Sequence, residues 1–380
     1  MIWTLALLII PMVAAILLFV AGKGRIDGKE LAALIGVAVV CCGMTVYLGL
    51  RYKTTSTEVW GGHVARKDHD SSTSCCHCRT ETYDCGTDSR GNRQTCSRTV
   101  CDHSHDQAWT ATSSNDETVY SNTCNPPYAS EPDDWTRIRI GEPTAQEHRY
   151  TNYIRAAGAS SILRTRGVAA RFVGQLPEYP RVRDFYRIDR VVNAGTAVPS
   201  ADLLTLQGAL ERLNDRLGAA RQVNVTVVLT PSADRSYAEG LREFWIDGGH
   251  GAEKNDFTVV IGLPDYPRVA WVEFVTWTRN ARVKDNVRSR IEALPAFDAA
   301  AVAHIIENEV DNNFVRTPMT DYEYLYATVT PPTWILVLGW LVTLAVTAGL
   351  GKYFWDNDPF QRRRGYTGYS SRRFWRSTSF

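Results

Sequence analysis

Two apolar runs decide the fold of the central part of this chain: VNVTVVL at 223–229 and FTVVIGL at 257–263. Both carry β-branched residues on consecutive positions, which is the pattern of a strand covered on both faces. A helix is predicted ahead of the first run, with Ser200 as its cap and Gly218 as its end. Its apolar stripe has helical spacing and consists of Leu203, Leu206, Leu210, Leu213 and Leu217.

The segments around these runs are also predicted to alternate between helix and strand. A helix is expected over 235–245, a half-exposed strand over 269–277, and two helices with apolar stripes over 283–294 and 302–314. Alternation of helix and strand at this spacing predicts an α/β domain, a mixed sheet flanked by helices, over 185–328.

Residues 185–325 also resemble the TPM domain, a family found in thylakoid-lumen repair proteins and in many bacterial membrane-anchored proteins. The resemblance rests on the helix at 201–217, the strand at 224–230, Ser236-Tyr237-Ala238 leading into Leu241 and Trp245, and KNDFTVVI at 254–261. It implies a domain presented outside the cytoplasm beside a membrane helix.

Some TPM proteins have been described as phosphatases or calcium binders, so the resemblance implies a catalytic role for one residue, Asp256. Carboxylates at strand ends of open α/β sheets lie where ligands bind. The alternative is a loop aspartate that hydrogen-bonds its own turn. Many family members keep further glycines and acidic residues after the second strand, whereas GLPDYP stands at 262–267 here, and this departure argues against catalysis.

Three apolar stretches, at 2–22, 31–50 and 334–350, are predicted to be transmembrane helices, since a hydrocarbon core of roughly 30 Å needs about 20 such residues. The short hairpin at 23–30 and the tail at 351–380 are basic, and lysine and arginine near spans favour the cytoplasmic side. We therefore expect a multi-pass inner-membrane protein in contact with the lipid bilayer, with the N-terminus and residues 51–333 periplasmic and the C-terminal tail cytoplasmic. The net charge of +1 predicts no nucleic-acid partner.

Residues 54–127 form a Cys/His-rich module that contains seven of the nine cysteines and too few aliphatic residues for a core of its own. A hairpin is expected to bring Cys85 opposite Cys96. Structural zinc and disulfides both fit: zinc suits clustered thiolates and imidazoles, while disulfides suit a compartment outside the cytoplasm. Unliganded thiols are the third alternative. The candidate metal ligands are Cys75, Cys78, Cys85, Cys96, Cys101, His103 and His105.

The remaining segment, 128–184, is predicted to hold connecting strands and a linker, with one strand over 133–141. The pairing of a Cys/His-rich insert with the α/β domain resembles uncharacterised membrane proteins of bacteria and their phages.

Neither a Gly-x-Ser-x-Gly elbow nor a His-Glu-x-x-His zinc motif occurs. The leading hypothesis is a non-enzymatic scaffold or interaction protein that binds an extracytoplasmic protein. The alternatives are a metal-dependent phosphatase of the TPM type acting through Asp256, and a phage-encoded membrane factor acting on the host envelope.

Overall fold

The computed structural model of the 380-residue chain describes residues 2–21, 26–70, 74–87, 93–105, 108–122, 131–157, 167–248 and 251–357. The chain divides into two compact units. The first consists of Met1–Thr54, Ala156–Gly158 and Tyr326–Phe380, and the second of Thr55–Arg155 and Ala159–Leu325.

Three helices build the first unit: α1 (Ile2–Ala21), α2 (Gly28–Thr54) and the C-terminal helix (Thr333–Asn357), and each contacts the other two. Gly339 faces Thr45 so closely that a β-carbon at Gly339 would overlap the threonine side chain. Such close approach at small residues is typical of packed membrane helices.

Two of these helices, α2 and the C-terminal helix, are long and apolar enough to cross a membrane. In α1 the described apolar stretch covers Pro11–Val20, which is shorter. The predicted spans at 31–50 and 334–350 are therefore supported by length and composition, while a crossing by 2–22 stays a prediction.

The second unit begins with a β-rich half. Its strands form a two-stranded sheet (β1 with β7), a three-stranded sheet in the order β2-β5-β6, and a two-stranded ribbon (β3 with β4), all antiparallel. The elements are β1 (Thr55–Trp60), β2 (Val64–Asp70), β3 (Ser74–Thr87), β4 (Arg93–His105), β5 (Ala108–Ser113), β6 (Thr118–Asn122), α3 (Asp133–Arg137), β7 (Gln146–Thr151), α4 (Tyr153–Ala156) and a 3₁₀ turn (Ala169–Phe172).

The α/β half follows. Its sheet has the order β11-β10-β9-β8, with β8, β9 and β10 parallel and β11 antiparallel at one edge. The elements are β8 (Val191–Asn193), α5 (Ser200–Arg221), β9 (Asn224–Thr230), α6 (Tyr237–Asp247), β10 (Asp256–Gly262), β11 (Trp271–Thr276), α7 (Ala281–Glu292), α8 (Ala299–Asn313) and a 3₁₀ stretch (Met319–Thr328).

Strands β9 and β10 are buried along their whole length, because helices cover both faces of the sheet. Alternate side chains of a strand point to opposite faces. Val227 and Val259 therefore pack with α5, α7 and α8, whereas Val228 and Val260 pack with α6. The predicted mixed α/β sheet flanked by helices is confirmed.

Helix α5 differs from its prediction at both ends. Pro199, not Ser200, is the N-cap, and no side chain caps the helix there. The helix continues past Gly218 to Arg221 and ends at Gln222 in the left-handed conformation. Gly218 is needed for another reason: a β-carbon there would collide with the backbone of Gly61.

The strand predicted over 133–141 is wrong, because Asp133–Arg137 is a short helix. Asp133 and Asp134 lie in its first turn, where carboxylates favour a helix start. Trp135 fixes the helix on β5, since its indole N–H donates to the Thr110 carbonyl oxygen at 2.9 Å.

Candidate functional site

Asp256, the residue singled out from sequence, is the first residue of β10 and lies opposite Asn224, the first residue of β9. Both therefore occupy the amino ends of parallel strands. Ligands of open α/β sheets bind outside the carboxyl ends. The position of Asp256 in the sheet thus gives no support to a ligand-binding strand end.

The carboxylate of Asp256 is fully buried and both of its oxygens accept hydrogen bonds. Oδ1 accepts from Asn224 Nδ2 at 2.8 Å and from the Tyr179 hydroxyl at 3.1 Å, while Oδ2 accepts from the Glu253 backbone N–H at 2.8 Å. Burial raises the pKa of Asp256 to about 6, although these hydrogen bonds act in the opposite direction. Asp256 therefore closes its own turn and joins two strands, as the alternative interpretation of this residue expects.

Glu253, three residues earlier, ties the same loop to the β1–β7 sheet. Its carboxylate accepts from Ser56 of β1 at 3.1 Å and from Tyr150 of β7 at 2.5 Å, and it pairs with Arg155 of α4 at 2.7 Å. Burial is the largest influence and raises the pKa of Glu253 to about 7, against the lowering effects of Arg155 and Tyr150.

A second buried ion cluster lies beside it. The Lys254 Nζ atom is 3.9 Å from Glu58 Oε2 and 4.2 Å from the centre of the Tyr150 ring. The same Glu58 carboxylate accepts two hydrogen bonds from Arg316, one of them from Nε at 3.3 Å. Burial lowers the pKa of Lys254 to about 8. Charged side chains buried this deeply are stable only when paired, as these are.

A pocket of about 220 Å³ opens above this network, lined in part by Glu253, Tyr179, Glu147 and Arg181. Gly251 forms part of its wall with φ +89°, where a β-carbon would collide with the Tyr179 ring. The pocket thus depends on a glycine at this position.

Of the buried carboxylates of Glu58, Glu253 and Asp256, Glu253 alone lines this pocket. In the described part of the chain, no three His, Cys, Asp or Glu side chains converge in a way that could hold a metal ion. A carboxylate with a pKa near 7 can exchange a proton, and the Ser56 and Tyr150 hydroxyls both donate hydrogen bonds to Glu253 inside the protein.

The Cys/His-rich module forms disulfides at four of its candidate ligands, Cys78–Cys101 and Cys85–Cys96. The expected meeting of Cys85 and Cys96 across a hairpin is therefore confirmed. Cys75, His103 and His105 lie on β3 and β4, but their side chains fall outside the described residues. A zinc site that uses these three stays a prediction.

The two bridges brace a ribbon whose described side chains are largely exposed on both faces, Arg79 and Thr80 pointing to opposite sides. Strands β3 and β4 hydrogen-bond only to each other among the described strands. A two-stranded hairpin without a core is marginally stable in water. The bridges supply the cross-links that such a ribbon needs.

A scan against models of known protein families, a search of curated proteins and a search of solved structures each found no match to this chain. The resemblance to the TPM domain accordingly stays a prediction, and so does the catalytic role that it implies for Asp256.

Sequence reasoning missed Glu58, Glu253 and Arg190, all of which are buried. Glu253 had one visible signal: it begins the polar run EKND at 253–256, directly before the largely apolar run at 257–263. A polar run of this kind either faces solvent or forms pairs inside the protein. The partners of Glu253 lie about 100 to 200 positions away in the sequence, at Tyr150 and Ser56. No local pattern predicts those pairings.

Proposed function

We propose that this protein is a membrane-anchored binding protein that holds its α/β body and its disulfide-braced ribbon outside the cytoplasm and recognises a protein partner there. The observation that carries the proposal is the ribbon itself. Cys78–Cys101 and Cys85–Cys96 stabilise a hairpin whose described side chains are largely exposed on both faces. Exposed side chains of this kind are available to contact a protein partner.

The same bridges support a location outside the cytoplasm. Disulfides persist in oxidising environments outside the cytoplasm. Two helices of membrane-spanning length and apolar composition are present, one of them near the N-terminus. The basic tail at 351–380 supports a cytoplasmic C-terminus by the positive-inside rule, with the lipid bilayer as the anchoring partner.

A phosphatase function gains no support from the geometry of Asp256, since both of its oxygens are engaged inside the protein. The purified full chain should show no Asp256-dependent turnover of a generic phosphomonoester. Loss of measurable turnover in an Asp256→Asn variant that folds normally would overturn the non-enzymatic proposal.

Site-specific photo-crosslinking in the native membrane tests the binding proposal. We expect a crosslinker at Thr82, exposed on the ribbon, to capture a discrete protein partner. A crosslinker at Leu204, which is 72 % exposed on α5, is the matched control and should capture none. Equal capture at both positions, or none at Thr82, would contradict the assignment of the ribbon as the binding surface.

A further inference from the structure

Arg190 is a buried cation without a carboxylate partner. It lies directly before β8 and is 2 % exposed. Its guanidinium donates through Nη1 to the Asn224 amide oxygen, and within the described residues no carboxylate oxygen lies within ion-pair distance of it. Burial lowers the pKa of Arg190 to about 10, so the group is charged at neutral pH.

Lys254, the other buried cation among the described residues, has the carboxylate partner that Arg190 lacks. Lys254 faces the Glu58 carboxylate at 3.9 Å. Arginine is almost never fully buried unless it is paired, because removal of an isolated charge from water costs several kcal/mol. Arg190 therefore lacks a carboxylate within ion-pair distance, which Lys254 has, and Glu211 and Asp256 act on it only from farther away.

A cavity of about 100 Å³ lies against Arg190. This is room for several water molecules and hence for one small anion. The polar side chains around it belong to the 142–145 segment, the 183–190 segment and α5: Thr144, Glu142, Arg183, Arg187, Arg190 and Glu211.

Two of the three arginines in this wall are already neutralised. Arg187 pairs with Glu142 at 2.7 Å, and Arg183 pairs with Asp189 at 2.5 Å. The remaining wall carboxylate, Glu211, accepts a hydrogen bond from the Gln207 side chain at 2.7 Å. It forms no ion pair with Arg190, but its charge raises the pKa of Arg190 against the larger effect of burial. The cavity thus presents one unpaired guanidinium.

We propose that this cavity binds a small oxyanion, a phosphate or a carboxylate, as the counter-charge of Arg190. The site goes beyond the proposed partner-binding role, because the anion would bind the body itself and the ribbon would take no part. Asn224 also donates to Asp256 at 2.8 Å, so the anion would stabilise the hydrogen-bond network at the amino ends of β9 and β10.

Thermal unfolding of the full chain in detergent micelles tests this site. Sodium phosphate and sodium acetate are titrated separately, with sodium chloride at equal ionic strength as the baseline, and unfolding is followed by tryptophan fluorescence. We expect a saturable rise of Tm in phosphate, in acetate or in both, and the anion with the lower half-saturating concentration identifies the preferred group. A Tm that responds to both as it does to chloride would overturn the proposal.

Three variants locate the effect. Arg190→Met should abolish the anion-dependent rise, whereas Arg212→Met, an exposed arginine of α5 outside the cavity wall, should keep it. Glu211→Gln keeps the hydrogen-bond acceptor for Gln207 and removes a repelling charge, so it should lower the half-saturating concentration several-fold.

Retention of the anion response in Arg190→Met would contradict the assignment. If that variant does not fold, Glu211→Gln decides, because an unchanged half-saturating concentration would overturn the proposal. Crosslinking at Thr82 reports on the ribbon alone, so failure of one proposal is distinguishable from failure of the other.

Discussion

The four-stranded sheet of the α/β half and the β3–β4 ribbon are both extended β structures, but they are stabilised in different ways. Strands β9 and β10 have no exposed residue, since helices cover both faces. The ribbon has longer strands, and its described side chains are largely exposed on both faces. Burial of apolar surface stabilises the first, and covalent bridges stabilise the second.

Because they are stabilised differently, the sheet and the ribbon should respond to different mutations. A cavity in the core should weaken the sheet and leave the ribbon bridged. Removal of a bridge should loosen the ribbon and leave the sheet folded. It also separates their roles: the sheet positions the buried polar network, and the ribbon offers surface.

The largest effect is expected from Leu229→Ala, which opens a cavity at a fully buried position of β9. The free energy of unfolding of the α/β body should fall by about 2–5 kcal/mol. Denaturant unfolding followed by tryptophan fluorescence measures it, with Leu204→Ala at an exposed position as the control. A loss no greater than that of the control would contradict the claim that burial of apolar surface stabilises the sheet.

The next effect is local. Replacement of Cys85 and Cys96 together by serine removes a bridge between residues 11 positions apart, which should cost the ribbon about 3 kcal/mol. Amide hydrogen exchange should speed up in β3 and β4 while the α/β body unfolds as before. Cys41→Ser is the control, because Cys41 forms no disulfide. Unchanged exchange in the ribbon would show that the bridge does not stabilise it.

The third effect concerns the polar network at the amino ends of β9 and β10. The pKa of Glu253, about 7 in the folded protein against an ordinary 4.5, means that the folded state binds this proton more tightly. Stability should therefore fall as pH rises from about 4.5 to about 7, and the raised pKa of Asp256 acts in the same direction.

Glu253→Gln should flatten this fall by about 1–3 kcal/mol, as measured by denaturant unfolding at a series of pH values. Glu147→Gln, at an exposed carboxylate of the neighbouring pocket wall, is the control and should leave the slope unchanged. A slope that is the same in both variants would contradict the role of Glu253.

The smallest effect is expected at the N-terminal cap of α8, in the α/β half. Asp298 caps α8, since its Oδ1 accepts from the backbone N–H groups of Ala300 and Ala301 at 2.9 Å each. Asp298→Ala should cost about 1 kcal/mol, whereas Asp298→Asn should cost only a few tenths. Equal losses in the two variants would show that the cap is not the cause.

The sheet could be predicted from sequence because its signals are local. Consecutive β-branched residues in VTVVL fix a buried strand, and leucines at helical spacing fix α5. The hairpin at Cys85 and Cys96 was predictable for the same reason. Gly218 led to a wrong prediction for the end of α5. A glycine near the end of a leucine stripe looks like a helix stop, but this one is needed for its close contact with Gly61, a residue distant in sequence.

The polar network could not be predicted, because it depends on partners that only the tertiary fold brings together. Glu58 meets Arg316 across more than half of the chain, and Glu253 meets Ser56 across nearly 200 residues. The sequence singles out Asp256 because it lies at the start of an apolar run. Its burial at the amino end of the sheet depends on the register of β10 with β9, where it lies opposite Asn224, and the sequence does not show that register.

The central claim is that a membrane-anchored body outside the cytoplasm carries a ribbon held by disulfides. The most direct measurement is to alkylate thiols in intact cells, purify the full chain without reductant, and map its peptides by mass spectrometry. The account predicts peptides joined through Cys78–Cys101 and Cys85–Cys96, each two hydrogens lighter than the sum of its thiols. Alkylated thiols at these four cysteines, or zinc bound to them, would contradict it.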